Sequence, residues 1–223
     1  GEDSGRVDYK IMRSERGRLL KLAAERGIER DGQKLDVFIA ENASWLPDYA
    51  LYMALKEHFG MAAWTEWDES IRMRAPEAVA KYTALLTEDI RRFEYVQYLF
   101  YTQFAALRAY AHEKGIGLIG DMPIYVALDS ADVWAQPSFF ELDEKNMPTA
   151  VAGVPPDYFS ADGQLWGNPL YDWDAQRADG YGWWIRRIDG ASKLYDVLRI
   201  DHFRAFEIYW SVPADAKTAK EGR

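Results

Sequence analysis

The sequence contains no cysteine. This absence excludes disulfides, thiolate metal sites and cysteine nucleophiles, and it fits a reducing compartment. The three histidines are scattered along the chain, so we expect neither a metal site nor an organic cofactor. No apolar run approaches the roughly 18–20 residues of a membrane-spanning helix, and the first residues include no apolar signal segment. We therefore expect a soluble, cytoplasmic protein without a membrane partner.

Positive charge is also scarce. The chain has 36 acidic residues against 27 basic ones, for a formal net charge of −9. Such a chain repels polyanions on average, and no lysine- or arginine-rich patch reverses this. Nucleic acid is therefore not an expected partner.

Aromatic side chains, in contrast, are plentiful at 15% of the residues, with nine tryptophans and 14 tyrosines. Their rings combine an apolar face with a polar group, which suits flat, hydroxylated ligands. An aromatic-rich core is the alternative interpretation, and composition alone leaves both open. The length of 223 residues allows one large α/β domain or two smaller ones.

The first half of the chain has the pattern of helices. Apolar residues at spacings of three and four predict a helix from its N-cap Ser14 to Glu25, which Gly27 ends. A second, short helix is expected around Phe38, and a third has Pro47 in its first turn.

A long helical pattern then covers residues 76–114. Because it exceeds the length of a typical globular helix, we expect two helices that meet at about 86–89. The connection that precedes it contains Trp64 and Trp67 and is expected to be polar.

Two apolar runs in the second half predict buried parallel strands that each end in a carboxylate. The strand 116–121 ends at Asp121, and Pro123 is expected to leave the ladder at once. The strand 197–200 leads into Asp201 and suits burial on both faces. Helices feeding such strands indicate a barrel or a doubly wound sheet, and barrels build active sites at the carboxyl ends of their strands.

Between these strands lies a long segment, 130–173, that is poor in helix signals. Its prolines and tryptophans suit a stiff surface for sugar rings, while a loop that packs on the sheet is the alternative. A helix over 181–195 follows. Its inner face is expected to contain Trp184, Ile185 and Ile188, with Arg186 and Arg187 outside.

The two strand-end carboxylates suggest glycoside chemistry, which uses paired acids around an oxocarbenium-like transition state. Arg199 lies two residues before Asp201, so both side chains leave the strand on one face. An arginine held against Asp201 would keep that carboxylate ionised and oriented. A buried structural ion pair explains the same spacing equally well.

Four motifs in order resemble the 4-α-glucanotransferase family, the amylomaltases or disproportionating enzymes, with similarity in register over about 42–223. They are GDMPIYVA at 120–127, AGVPPDYFS at 152–160, GQLWGNPLY at 163–171 and RIDHFR at 199–204. The resemblance implies part of a (β/α)8 barrel of the α-amylase superfamily, with a large helical subdomain and a loop-rich insertion. Residues 1–114 would supply the helical insertion and barrel helices. Residues 115–223 would supply barrel strands, including the nucleophile strand 197–201.

The activity that the resemblance implies is transfer of an α-1,4-glucan segment to the 4-OH of glucose or a maltooligosaccharide, with retention. Asp201 would be the nucleophile that forms a covalent glycosyl-enzyme. The substrate-binding residues would be Asp121, Trp166, Asn168, Arg199 and His202. The family's acid/base glutamate and a further aspartate would lie beyond Arg223, so we expect a fragment that is inactive alone. Ala205 stands where the family commonly has glycine, which requires a negative φ there.

Two other functions remain open at this point. One is an α-glucan hydrolase of the same superfamily, since sequence separates transfer from hydrolysis poorly. The other is a non-catalytic carbohydrate-binding fragment.

Overall fold

The computed structural model describes residues 5–223, apart from the side chains of Arg13 and Ser14. Within this part of the chain the α-helices are α1 (Tyr9–Glu41), α2 (Leu46–His58), α3 (Glu69–Arg72), α4 (Pro76–Leu85), α5 (Thr87–Glu113), α6 (Ala131–Ala135), α7 (Trp173–Ala178) and α8 (Gly182–Ser192). The strands are β1 (Ile119–Pro123), β2 (Ala150–Val154), β3 (Gln164–Pro169), β4 (Val197–Asp201) and β5 (Trp210–Pro213). None of the helices in residues 5–223 has both the length and the apolar character needed to cross a membrane.

The first helix is one continuous element of 33 residues, so the prediction of two helices in this region was wrong. Its N-cap is Asp8, whose side chain accepts hydrogen bonds from the backbone amides of Lys10 and Ile11; Ser14 therefore lies inside the helix. Gly27 does not end the helix, because its missing side chain makes room for a neighbour. A Cβ at Gly27 would lie 1.9 Å from the hydroxyl of Tyr95 on α5.

The predictions for the next helices were confirmed. Helix α2 has Pro47 in its first turn, where the missing N–H costs nothing. The long helical region divides into α4 and α5, which meet at Leu86, within the predicted 86–89.

In the connection after α2 the two tryptophans Trp64 and Trp67 are buried, which corrects the expectation of a polar segment for them, although Glu66 and Asp68 beside them are exposed. Both indoles belong to the main core. The Trp64 indole N–H donates to the carbonyl of Leu128 at 2.6 Å, so its polar atom is satisfied inside the core. The same core includes Tyr52 and Trp134, so both halves of the chain contribute to it. The predicted division at residue 114 stays a prediction.

Strands β1 and β4 are parallel neighbours, with Asp121 opposite Arg199 and Pro123 opposite Asp201. Two expectations were wrong here. Strand β1 begins later than predicted and includes Pro123 as its last residue, where the absent N–H is least disruptive. Neither strand is buried on both faces, because every second residue points outward and Ile119 is 71% exposed.

The second sheet has the antiparallel order β3-β2-β5. Two of its strands lie in the segment 130–173 that was predicted to be an irregular insertion, which also contains α6. This segment is therefore an ordered hairpin with a connecting loop, and β5 pairs with β2 beside it.

Helix α8 lies within the predicted range, but its buried face differs from the expectation. Trp184 is buried together with Trp183, whereas Ile185 is 61% exposed and Ile188 is also exposed. The guanidinium of Arg187 points inward and lies 4.9 Å from the ring centroid of Trp184. The reason is that backbone carbonyls beneath the helix accept hydrogen bonds from this guanidinium.

Candidate active site

A pocket of about 530 Å³ opens at the carboxyl edge of β1 and β4. Its lining residues are Pro123, Ile124, Tyr125, Leu165, Trp166, Asn168, Asp201 and His202. Four residues predicted from the sequence are thus brought together, one pair from the end of β4 and one from β3. They come from segments more than 30 positions apart in the chain, so only the fold unites them.

The end of β4 positions the carboxylate and the imidazole. Asp201 is the last residue of the strand, and His202 follows with a φ of 50°, in the left-handed region that non-glycine residues rarely adopt. This turn places the imidazole edge-on to Trp166, with ring centroids 5.0 Å apart. Ala205 then lies buried in a 3₁₀ turn (Phe203–Phe206) and is not among the positive-φ residues, as its side chain requires.

Arg199 pairs with Asp121 across the two strands rather than with Asp201. Its Nε donates to Asp121 Oδ1 at 3.0 Å, and its Nη2 donates to the other carboxylate oxygen. The hydrogen bonds from Arg199 hold the pKa of the Asp121 carboxyl below its usual range. Asp121 in turn raises the pKa of Arg199, and the nearby charge of Asp201 raises it further. The expectation that Arg199 holds Asp201 by a hydrogen bond is therefore corrected, because the register puts Asp121 directly opposite Arg199.

These charged residues still share one face of the small sheet. Asp121 and Pro123 alternate with buried residues on β1, and Arg199 and Asp201 alternate with half-buried residues on β4. The Asp121–Arg199 pair is thus one step along the strands from Asp201, toward their amino ends. The pair is not among the residues that line the pocket.

Strand β3 contributes the aromatic wall. Trp166 is 37% exposed, and its indole N–H donates to the side chain of Gln164 at 3.0 Å, which fixes the ring. Asn168 donates to the carbonyl of Val126 at 2.9 Å and so ties β3 to the loop that leaves β1.

Tyr125 lines the pocket and Tyr171 is a buried residue that supports it, and neither was predicted as a site residue from the sequence. Tyr125 packs edge-on against Trp166 at 6.2 Å and stacks on Tyr171 at 6.0 Å. Burial raises the pKa of both phenols, so they are neutral around pH 7. Both tyrosines lie within the quoted motifs at 120–127 and 163–171, and this position in the motifs was the available signal.

The loop between β2 and β3 presents two aromatic rings to solvent. Tyr158 and Phe159 are 97% and 93% exposed. Asp157 stabilises this loop, since its carboxylate accepts from the backbone amides of Phe159 and Ser160 at 2.9 and 2.7 Å. The loop thus belongs to the same hairpin as the wall of the pocket.

The pocket combines a carboxylate with flat apolar walls. Such walls suit the C–H face of a sugar ring, while Asn168 and His202 are polar groups for its rim. Among the lining residues, Asp201 supplies the carboxyl group. No group of three or more His, Cys, Asp or Glu side chains within residues 5–223 forms a possible metal site.

The parallel strands β1 and β4 with their helices are part of an α/β barrel of the α-amylase superfamily, the fold of the family and the solved structure that the chain matches. The family model described as 4-alpha-glucanotransferase matches residues 1–223. The chain therefore belongs to the 4-alpha-glucanotransferase family, as its motifs predicted.

Named relatives agree with this assignment. The chain is 46% identical to the 4-alpha-glucanotransferase of Streptococcus pneumoniae, over 100% of this chain and 44% of the relative. It is also 46% identical to that of Thermus thermophilus, over 100% of this chain and 45% of the relative.

A solved structure, the amylomaltase from Streptococcus agalactiae in complex with acarbose, has a TM-score of 0.93 at 46% identity. The match covers 97% of this chain and 44% of that one. The chain thus spans less than half the length of these relatives.

Proposed function

We propose that the whole protein is a 4-α-glucanotransferase that transfers an α-1,4-glucan segment to glucose or a maltooligosaccharide. The observation that most supports this is the pocket that Asp201 lines together with Trp166 and His202, whose rings pack edge to face. This arrangement offers a nucleophile beside a surface for a sugar ring. Maltooligosaccharides and α-1,4-glucans are accordingly the proposed ligands, and a cytoplasmic location stays a prediction.

The proposed reaction has two displacements. The Asp201 carboxylate attacks the anomeric carbon, the glycosidic bond breaks, and the leaving sugar oxygen takes a proton from a general acid. The 4-OH of the acceptor then attacks the same carbon and returns its proton to that group, which restores Asp201. Retaining chemistry requires the acid/base carboxyl roughly 5–5.5 Å from Asp201, and we propose that it comes from outside these 223 residues.

The other site residues have binding roles in this proposal. Arg199 and Asp121 neutralise each other and present hydrogen-bonding groups on the face that carries Asp201. Trp166 and His202 line the sugar, and Asn168 keeps the wall in place through Val126. The 223 residues alone would bind maltooligosaccharides without turnover.

The test is disproportionation of maltotriose by the whole protein. The proposal expects glucose and longer oligosaccharides from the unmodified protein, and at least about a 10³-fold loss of rate in Asp201→Asn. Asp215→Asn is the matched control, because Asp215 is an exposed acid after β5. Unchanged glucose release in Asp201→Asn would refute the nucleophile assignment. Glucose and maltose without longer products, even with excess glucose as acceptor, would indicate a hydrolase instead.

A further inference from the structure

The backbone that leaves β1 is held by two side chains from other parts of the chain. The carbonyl of Ile124 accepts from Arg187 Nη1 at 2.8 Å and from the Tyr171 hydroxyl at 2.6 Å. The other guanidinium nitrogen, Nη2, donates to the carbonyl of Pro123 at 2.5 Å. One arginine therefore donates hydrogen bonds to two consecutive carbonyls at the strand end.

This pair of hydrogen bonds suits an arginine in particular. The guanidinium has a planar set of donors that can serve two neighbouring acceptors at once, which a lysine ammonium does with less geometric control. Its face lies 5.5 and 4.9 Å from the ring centroids of Trp183 and Trp184, so the side chain is also fixed from the side of α8. Because Ile124 is buried, its carbonyl would lose these partners without gaining water.

The residues whose carbonyls accept these hydrogen bonds form part of the pocket wall. Pro123, Ile124 and Tyr125 all line the pocket, whereas Arg187 lies behind them. A continuous set of rings then leads to the nucleophile: Tyr171 stacks on Tyr125, Tyr125 packs on Trp166, and Trp166 packs on His202, the neighbour of Asp201.

We propose that Arg187 is a positioning residue of the glucan site. Together with Tyr171 it fixes the turn from Pro123 to Tyr125 and, through the ring of Tyr125, the orientation of Trp166 beside Asp201. It does so without touching the sugar. This inference rests on the proposed function, and it adds a residue that the motifs did not identify.

The test is steady-state kinetics of maltotriose disproportionation by the whole protein, well below its unfolding temperature. Arg187→Gln should raise KM roughly tenfold and lower kcat less, because the sugar wall is displaced while the nucleophile remains. Arg187→Lys should recover part of the loss, since an ammonium can still reach one carbonyl. The matched control is Arg186→Gln, which removes an exposed arginine from the same helix and should leave both constants unchanged.

A purely structural role would give another result. Lower thermal stability in Arg187→Gln with KM and kcat unchanged, or equal losses in Arg186→Gln, would overturn the inference. If Arg187→Gln does not fold, Tyr171→Phe decides, because it removes one donor to Ile124 and keeps the stacked ring; it should raise KM by a few-fold, and an unchanged KM would refute the proposal. An unmodified protein that fails to disproportionate maltotriose would instead refute the proposed function.

Discussion

Gly27 on α1 is a position where the addition of a single methyl group should lower stability. In Gly27→Ala the new Cβ would lie 1.9 Å from the hydroxyl oxygen of Tyr95 and 2.3 Å from the ring carbon that carries it. The ring is buried, and its hydroxyl donates to Asp31 at 2.9 Å. Either the tyrosine or the helix must therefore move.

The magnitude follows from three contributions. Alanine in a helix interior is about 1 kcal/mol more favourable than glycine. Overpacking of a well-filled site costs about 1–3 kcal/mol, and displacing the Tyr95 hydroxyl from Asp31 costs about 1–3 kcal/mol more. The net prediction is a destabilisation of about 1–5 kcal/mol, with a central value of about 3.

The assay is denaturant unfolding of Gly27→Ala beside Gly32→Ala. Gly32 lies in the same helix, and a Cβ there meets nothing within 4 Å, so this control should gain up to about 1 kcal/mol. In a Tyr95→Ala background the cost of Gly27→Ala should disappear, because the space is then open. Equal stability changes at the two glycines would refute the packing of α1 against α5 described above.

Two further predictions concern charged groups that do not line the pocket. Lys56→Met should lower the free energy of unfolding, measured with denaturant, by about 2–3 kcal/mol. The reason is that the Lys56 ammonium, whose side chain is 8% exposed, donates to Asp129 at 2.6 Å and to two carbonyls. A loss below about 0.5 kcal/mol, within the range of an ordinary surface substitution, would contradict this. Asp196 accepts from the Leu118 amide, His112 and an arginine, which holds its pKa well below the usual range. Because the folded-state pKa is lowered, this stabilisation is complete above the ordinary value of about 3.9 and is lost as the pH falls through the acid range. Asp196→Asn should therefore lower Tm at pH 7 and weaken the decrease of Tm toward pH 3, and an unchanged acid profile would speak against the cluster.

The family, the end of β4 and the division of the long helix could be predicted from the sequence because each depends on local signals. Proline at 76 and the apolar spacing around it mark α4 and α5 without help from the rest of the fold. Asp201 follows an apolar run directly, so its place at the carboxyl edge needed only the general rule for parallel strands. Asp121 also follows such a run, but β1 continues to Pro123, so Asp121 lies within the strand and not at its end.

The remaining features depend on contacts between distant residues. The helix was predicted to end at Gly27 because glycine is common at helix C-termini. In the structure Tyr95, 68 positions later, fills the space beside this glycine. Arg187 was expected outside α8 because it is charged, but the carbonyls of Pro123 and Ile124 and two indoles hold it inward. Local patterns do not contain these partners.

In the site too, local sequence patterns did not identify the partners of the predicted residues. Spacing alone suggested that Arg199 would hold Asp201, whereas the register of β1 against β4 gives it Asp121 as its partner. Tyr125 was quoted within a motif, but its role in the wall depends on Trp166, which lies on another strand. The motifs thus identified the elements of the site, and the strand pairing decided their partners.

Trapping the covalent intermediate tests most directly whether Asp201 is the nucleophile. The whole protein would be incubated with a fluorinated maltosyl fluoride whose glycosyl-enzyme turns over slowly, then digested and mapped by mass spectrometry. We expect a sugar ester on the peptide that contains Asp201, and no ester in Asp201→Asn. An ester on another carboxylate, or the same ester yield in Asp201→Asn, would contradict it.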